Sequence, residues 1–126
     1  MPSASDAPHL PRSAPIDAYG KGGFRFAGMS HRGSLLCLPA GMWASPVTSA
    51  AEISVEILSP VMTAEPPVEL FLIGAGRDPW ALPSALRESL QTAGVAVEAM
   101  STGAAVSTYN ILLGEGRRVG ALLIAV

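Results

Sequence analysis

Two stretches of this chain place polar or glycine residues where chemistry could be done. The first is Gly74-Ala75-Gly76, which closes the apolar run Val68-Glu69-Leu70-Phe71-Leu72-Ile73. A strand that ends in a glycine pair can bring its backbone close to a ligand, and in open α/β sheets ligands sit beyond the carboxyl ends of the strands. The second is Thr102-Gly103-Ala104-Ala105, followed by Thr108-Tyr109-Asn110. A helix starting there would turn its free N–H groups and the positive end of its dipole toward the same sheet edge. Together with Asp78 and Trp80 from the loop beyond Gly76, these stretches define a candidate pocket of Gly74, Ala75, Gly76, Asp78, Trp80, Thr102, Tyr109 and Asn110. It could hold a small anion or a nucleotide. The competing reading is packing: small side chains for a close helix–sheet contact, with Tyr109 and Asn110 hydrogen-bonding the loops.

Other chemistries fit less well. A dinucleotide fingerprint would need a third glycine where Pro79 stands. The histidines are His9 and His31, and no His/Cys/Asp/Glu group has metal-ligand spacing, so neither a metal site nor a cofactor is expected. No serine lies in a nucleophile elbow, and no catalytic residue is assigned. Cys37 lies in the apolar run Leu35-Leu36-Cys37-Leu38 and reads as a small buried hydrophobe.

The elements that would position the pocket follow from periodicity. Residues 68–73 form a short apolar run between Pro66-Pro67 and glycine, the pattern of a strand buried on both faces at the centre of a sheet. Leu82, Leu86 and Leu90 recur every four residues, giving a helix that starts near Leu82 with Pro83 in its first turn and ends at Gly94. Val95, Val97 and Ala99 alternate as a strand, so the crossover rule makes this strand parallel to residues 68–73. A helix capped by Ser101 or Thr102 follows, with Ala104, Ala105, Thr108, Ile111 and Leu112 on one face. The last strand, within residues 117–126, becomes continuously apolar and reads as interior.

The N-terminal half reads as an antiparallel meander. Ile16 to Tyr19 and Phe24-Arg25-Phe26-Ala27 make a hairpin across Gly20-Lys21-Gly22-Gly23. A turn is expected over residues 28–33, a third strand over residues 34–38, and a resumption at Met42-Trp43-Ala44 after a bend at Pro39. Residues 49–62 are expected to hold a short helix ending near Pro60. Residues 1–15, with four prolines and no periodicity, read as a disordered or loosely attached arm, leaving residues 16–126 as one domain.

Composition limits the function classes. In 126 residues, 49% are apolar and 14% charged, enough for one core and too little charge to cover the surface, which favours a protein partner or self-association. A net charge of −2 without a Lys/Arg block argues against nucleic acid. No run reaches the roughly 18–20 apolar residues that span a bilayer, and no targeting presequence is evident, so membrane insertion is not expected and a cytoplasmic protein is.

Taken in order, Ile16-Asp17-Ala18-Tyr19-Gly20, Gly23-Phe24-Arg25-Phe26, Gly33-Ser34-Leu35-Leu36, Trp43, Leu72-Ile73-Gly74-Ala75-Gly76, Gly94-Val95-Ala96-Val97-Glu98-Ala99-Met100, Thr102-Gly103-Ala104-Ala105, Thr108-Tyr109-Asn110-Ile111-Leu112 and Gly116-Arg117-Arg118-Val119 resemble the Mth938-like family. That resemblance implies a three-layer α/β fold around a mixed central sheet, with N-terminal antiparallel strands, a βαβαβ C-terminal half and an antiparallel last strand. Its mitochondrial members act in complex I assembly without known catalysis. It thus implies a non-enzymatic assembly or interaction protein for a respiratory-complex subunit or assembly factor, here in a bacterial cytoplasm. The family commonly has threonine where this chain has Ala75 and arginine where it has Ser107, so the candidate pocket is less polar than the family's. The alternative is a small-molecule-binding protein or enzyme using the edge formed by Gly74, Gly76 and Thr102 to Asn110.

Overall fold

The computed structural model describes residues 7–126. Its element order is β1 (Ala18–Gly20), β2 (Gly23–Phe26), β3 (Met29–Arg32), β4 (Ser34–Leu38), β5 (Gly41–Ser45), α1 (Val55–Met62), β6 (Leu70–Gly74), α2 (Ser84–Thr92), β7 (Ala96–Met100), α3 (Thr102–Gly114) and β8 (Val119–Leu123). β1, β2 and β3 form a small antiparallel sheet, and the other five strands form a mixed sheet in the order β5-β4-β8-β6-β7.

Pairs of residues at positive φ make the tight turns of the small sheet. Lys21 and Gly22 (φ 54° and 79°) close the β1–β2 hairpin, and Ala27 and Gly28 (φ 50° and 76°) close β2–β3. The expected turn over residues 28–33 is therefore mostly strand. Ala27 hides the signal, because a non-glycine residue in the left-handed region is uncommon. The expected bend after Leu38 is a full reversal: Leu38 pairs with Gly41, and β5 runs back along β4. The meander is thus divided between two sheets.

The βαβ expectation holds: β6 and β7 are parallel, with Leu70 opposite Ala96. β8 enters between β6 and β4, parallel to the first and antiparallel to the second. The expected antiparallel last strand is corrected to that extent, since the α3 crossover returns the chain in the direction of β6. β6 is buried and paired on both sides, as its composition requires, although β8 occupies the middle of the sheet.

The five-stranded sheet separates two cores, and the period of two sorts each strand between them. Phe71, Ile73, Leu36, Leu122 and Ile124 join α1 and α2 on one side. Leu72, Leu35, Cys37, Ala121 and Leu123 join α3 and the two phenylalanines of β2 on the other. The result is three layers. α1 buries Leu58 and Val61, and it runs past Pro60 to Met62, two residues beyond the expected end. α2 starts at Ser84 with Pro83 as its N-cap rather than in its first turn.

Residues 1–6 of the expected arm lie outside the described residues. The described part is attached: the His9 N–H donates to Met42 O (2.8 Å), and the Met42 N–H donates to Leu10 O (3.0 Å). Ala14 and Ile16 are buried. The attachment has a physical reason, because it covers part of the otherwise open edge of β5.

Candidate functional site

The two stretches singled out by their residue types do meet. β6 delivers Gly74, Ala75 and Gly76 to the start of α3, and a dense set of hydrogen bonds joins them. Thr102 is fully buried. Its hydroxyl donates to Ile124 O (2.7 Å) and accepts the Gly76 N–H (3.0 Å), while its own N–H donates to Gly76 O (3.0 Å). The Ala75 N–H donates to Met100 O (2.8 Å), and the Ile124 N–H donates to Gly74 O (2.9 Å). Gly74 is needed for the approach, since a Cβ there would stand 3.0 Å from Thr102 Cα and 3.1 Å from Ala105 Cβ. Gly76 adopts a φ of 98°, which only glycine takes at no steric cost.

This latch uses the Thr102 and Gly76 N–H groups, donors that an anion would need. Beyond those already named, the Ser101 Oγ accepts the Ala104 N–H (3.3 Å) as the α3 N-cap. Tyr19 lies directly over Gly103, where an added Cβ would collide with the phenol oxygen.

Tyr109 and Asn110 are not at this edge. Tyr109 is buried in the core on the α3 side, and its hydroxyl donates to Ala14 O (3.2 Å). The Asn110 amide pairs with Ile16 in both directions, accepting the Ile16 N–H and donating to Ile16 O, each at 2.8 Å. The side chain takes the place of a neighbouring strand. Both residues hold the N-terminal segment onto α3.

The remaining candidates line an open cleft of about 390 Å³: Ala75, Gly76, Asp78 and Trp80, with Thr48 and Ile124 among the other walls. Arg77 and Asp78 are exposed there and Trp80 is partly buried. The eight predicted residues therefore fall into three places: Gly74 and Thr102 inside the latch, four residues along the cleft, and Tyr109 with Asn110 at the N-terminal segment.

The titratable groups in the core have quiet chemistry. Burial pushes the Cys37 thiol well above its ordinary value, with Tyr109 partly offsetting it. Tyr109 is likewise pushed up, by burial first and by its neighbour Cys37 second. Both stay protonated at neutral pH. The His31 ring nitrogen Nε2 lies 2.9 Å from Ser34 O, and the ring packs 4.9 Å from that of His9. Among the described residues no group of His, Cys, Asp and Glu could hold a metal ion. Every buried side-chain polar atom has a partner among them.

Two surfaces escape a reading by motif. α3 carries no charged residue from end to end, and its outward face presents Ala104, Ser107 and Ile111, the last 62% exposed. The expected inward face had included Ala104 and Ile111; the observed one is Thr102, Ala105, Val106 and Tyr109. With apolar residues all round, helical spacing alone could not tell the two faces apart. The other surface is the outer face of the small sheet, where Lys21, Arg25 and Arg32 are exposed. Arg25 alternates with two phenylalanines and is legible as outward-facing, but Arg32 becomes so only once β3 is known to be a strand.

Comparison with known proteins agrees with this architecture. The model of a family described as a protein of unknown function (DUF498/DUF598) matches residues 16–124. An uncharacterized protein of Rhodobacter capsulatus is 42% identical over 93% of this chain and 89% of its own length. The rat NADH dehydrogenase [ubiquinone] 1 alpha subcomplex assembly factor 3 is 33% identical over 91% of this chain, which spans 62% of that protein's length. A crystal structure of a Bartonella henselae protein described as an outer membrane protein shares 48% identity with a TM-score of 0.87, over 93% of this chain and 98% of that one. The solution structure of a Bordetella pertussis protein described as a Mth938-like domain shares 27% identity with a TM-score of 0.78, over 98% of this chain and 92% of that one.

Proposed function

Because this chain belongs to the DUF498/DUF598 family, with its Mth938-like fold, we propose that it is a non-enzymatic assembly protein that holds a subunit or assembly factor of a respiratory membrane complex. The assembly-factor relatives support the role at family level. The observation that carries it to this chain is the outward face of α3. A surface helix of 13 residues without a charge, presenting Ile111 at 62% exposure beside Ala104 and Ser107, resembles an interface more than a solvated helix. The small residues let a partner helix approach closely, and Ile111 supplies the apolar anchor.

Among the described residues no helix is long and apolar enough to cross a membrane. In this reading the protein works from the cytoplasm on a partner that is itself membrane-bound. The test is a deletion strain complemented with wild type or Ile111→Glu, read by complex I content on native gels and by recovery of respiratory subunits with the tagged chain. Loss of complex I in the deletion and in the Ile111→Glu strain supports the role. Unchanged complex I in the deletion strain removes it.

A second reading is favoured by the cleft of about 390 Å³ lined by Ala75, Gly76, Asp78 and Trp80. Its size and its exposed Arg77 and Asp78 suit a small polar ligand. A thermal-shift screen with nucleotides and organic anions tests it, and a hit that survives Trp80→Ala places the ligand elsewhere.

A further inference from the structure

The face of the small sheet turned away from the core carries chemistry that the docking face on α3 does not use. Phe24 and Phe26 are buried, so Arg25 between them points outward. The β2–β3 register sets Arg25 opposite Ser30 and Gly23 opposite Arg32, which brings both arginines to that outer face. Lys21, in the β1–β2 turn, joins them around an open hollow of about 500 Å³. Among the described residues no carboxylate lines the hollow. None of the three cations is in an ion pair among the described residues. Three of the chain's eight basic residues therefore share one small face, leaving five for the rest of a molecule that has ten acidic residues. The small sheet is positive and the remainder is negative.

The arrangement has a spacing as well as a sign. Arg25 and Arg32 are diagonal neighbours across an antiparallel pair, a relation that sets such positions roughly 7–8 Å apart. An extended peptide repeats side chains on one face every two residues, roughly 6.6–6.8 Å. The positions paired with the arginines and between them are Gly23, Ser30, Ala18 and Gly20, all small, so a backbone can approach the sheet there, while Tyr19, Phe24 and His31 complete the lining of the hollow. Guanidinium groups donate two parallel hydrogen bonds to a carboxylate, a geometry that lysine cannot copy.

We propose that the outer face of β1, β2 and β3 binds an extended acidic segment of a protein partner, its carboxylates at alternate positions received by Arg25 and Arg32 with Lys21 as a third charge. The proposal rests on the reading that this chain works by docking to another protein, and it names the chemistry of what docks.

The test titrates the full chain against two fluorescein-labelled ten-residue peptides of identical composition, one alternating Glu and Thr and one with five Glu followed by five Thr. Fluorescence anisotropy is read at low and at physiological salt. The alternating peptide should bind at least fivefold more tightly than the block peptide. Arg25→Ala/Arg32→Ala should weaken it at least tenfold, and Arg25→Lys/Arg32→Lys should fall between. Equal affinity for the two peptides overturns the proposal, as does unchanged affinity in the alanine variant. Binding to phosphatidylserine vesicles without binding to either peptide overturns it in favour of a membrane surface. Should the alanine variant unfold, the lysine variant and the peptide pair still decide. A normal complex I content in the deletion strain with peptide selectivity intact would remove the assembly role and leave this site standing; the converse removes only the site.

Discussion

The latch between β6, β8 and α3 and the outer face of the small sheet differ in how much of their chemistry is available to another molecule. In the latch, the Thr102 hydroxyl, the Gly76 N–H and the Ile124 carbonyl satisfy one another out of water. On the small sheet, Lys21, Arg25 and Arg32 are exposed and, among the described residues, unmatched by any lining carboxylate. Glycine pairs and small polar residues at the ends of elements are what ligand sites use, yet here they close the fold on itself. The contrast teaches that residue types capable of binding a ligand are as capable of binding each other.

The sharpest test removes a single hydroxyl. Thr102→Val keeps the shape and leaves Gly76 N–H and Ile124 O without partners, each loss costing about 1–3 kcal/mol. A loss of about 3 kcal/mol, read from the denaturation midpoint in urea, is expected. A loss below about 1 kcal/mol would mean that water or a ligand already shares this edge, and the contrast between the two regions would fail.

The second test concerns how the N-terminal segment is held. Asn110→Ala leaves both backbone groups of Ile16 unpaired, and a loss of about 2 kcal/mol is expected, with amide exchange accelerated first over residues 9–16. Tyr109→Phe removes one neutral hydrogen bond, to Ala14 O, and should cost about 1 kcal/mol.

What was legible in the sequence follows from which physical signals are local. The β6-α2-β7 unit was readable because Phe71, Ile73, Leu86, Leu90 and Val97 follow the two periods of strand and helix, with glycine at each end. The meeting of Gly76 with Thr102 was readable because a parallel crossover puts the carboxyl ends of β6 and β7 on one edge. The places of Tyr109 and Asn110 were not, since their partners lie about 95 residues away: Ala14 in a stretch whose prolines suggest no structure, and Ile16 at the very start of the first expected strand. The cationic face was hidden by Ala27, whose positive φ makes β3 a strand where a turn was expected. The outward side of α3 was hidden because the helix has no charge to mark it.

Alkaline pH offers a test of the core beneath α3. The folded Cys37 thiol is held above its ordinary value by burial, so the unfolded chain, with a thiol value of about 8.5, releases its proton first. The unfolded state then binds fewer protons than the folded state, and stability falls as pH rises above that value by about 1.4 kcal/mol per pH unit for the one group. A slope reduced by that amount in Cys37→Ala assigns it. The exposed Glu69–Arg117 pair works at the other end of the scale: Arg117 lowers the Glu69 value, so its contribution is present above the ordinary carboxylate range and is lost as pH falls through the lowered one.

The smallest effect on stability is expected where the effect on binding is largest. Arg25→Ala/Arg32→Ala removes two exposed side chains that are in no ion pair among the described residues, and such changes lie within about 0.5 kcal/mol. Its sign should also be opposite to that of the latch variants. Bringing like charges together on one sheet face is mildly unfavourable, so relieving it leaves the melting temperature level or slightly raised, most visibly at low salt where screening is weakest. A drop of several degrees would mean that the arginines are part of the structural framework, as Thr102 is. A level melting curve with at least tenfold weaker peptide binding would separate the two regions by function as cleanly as burial separates them by structure.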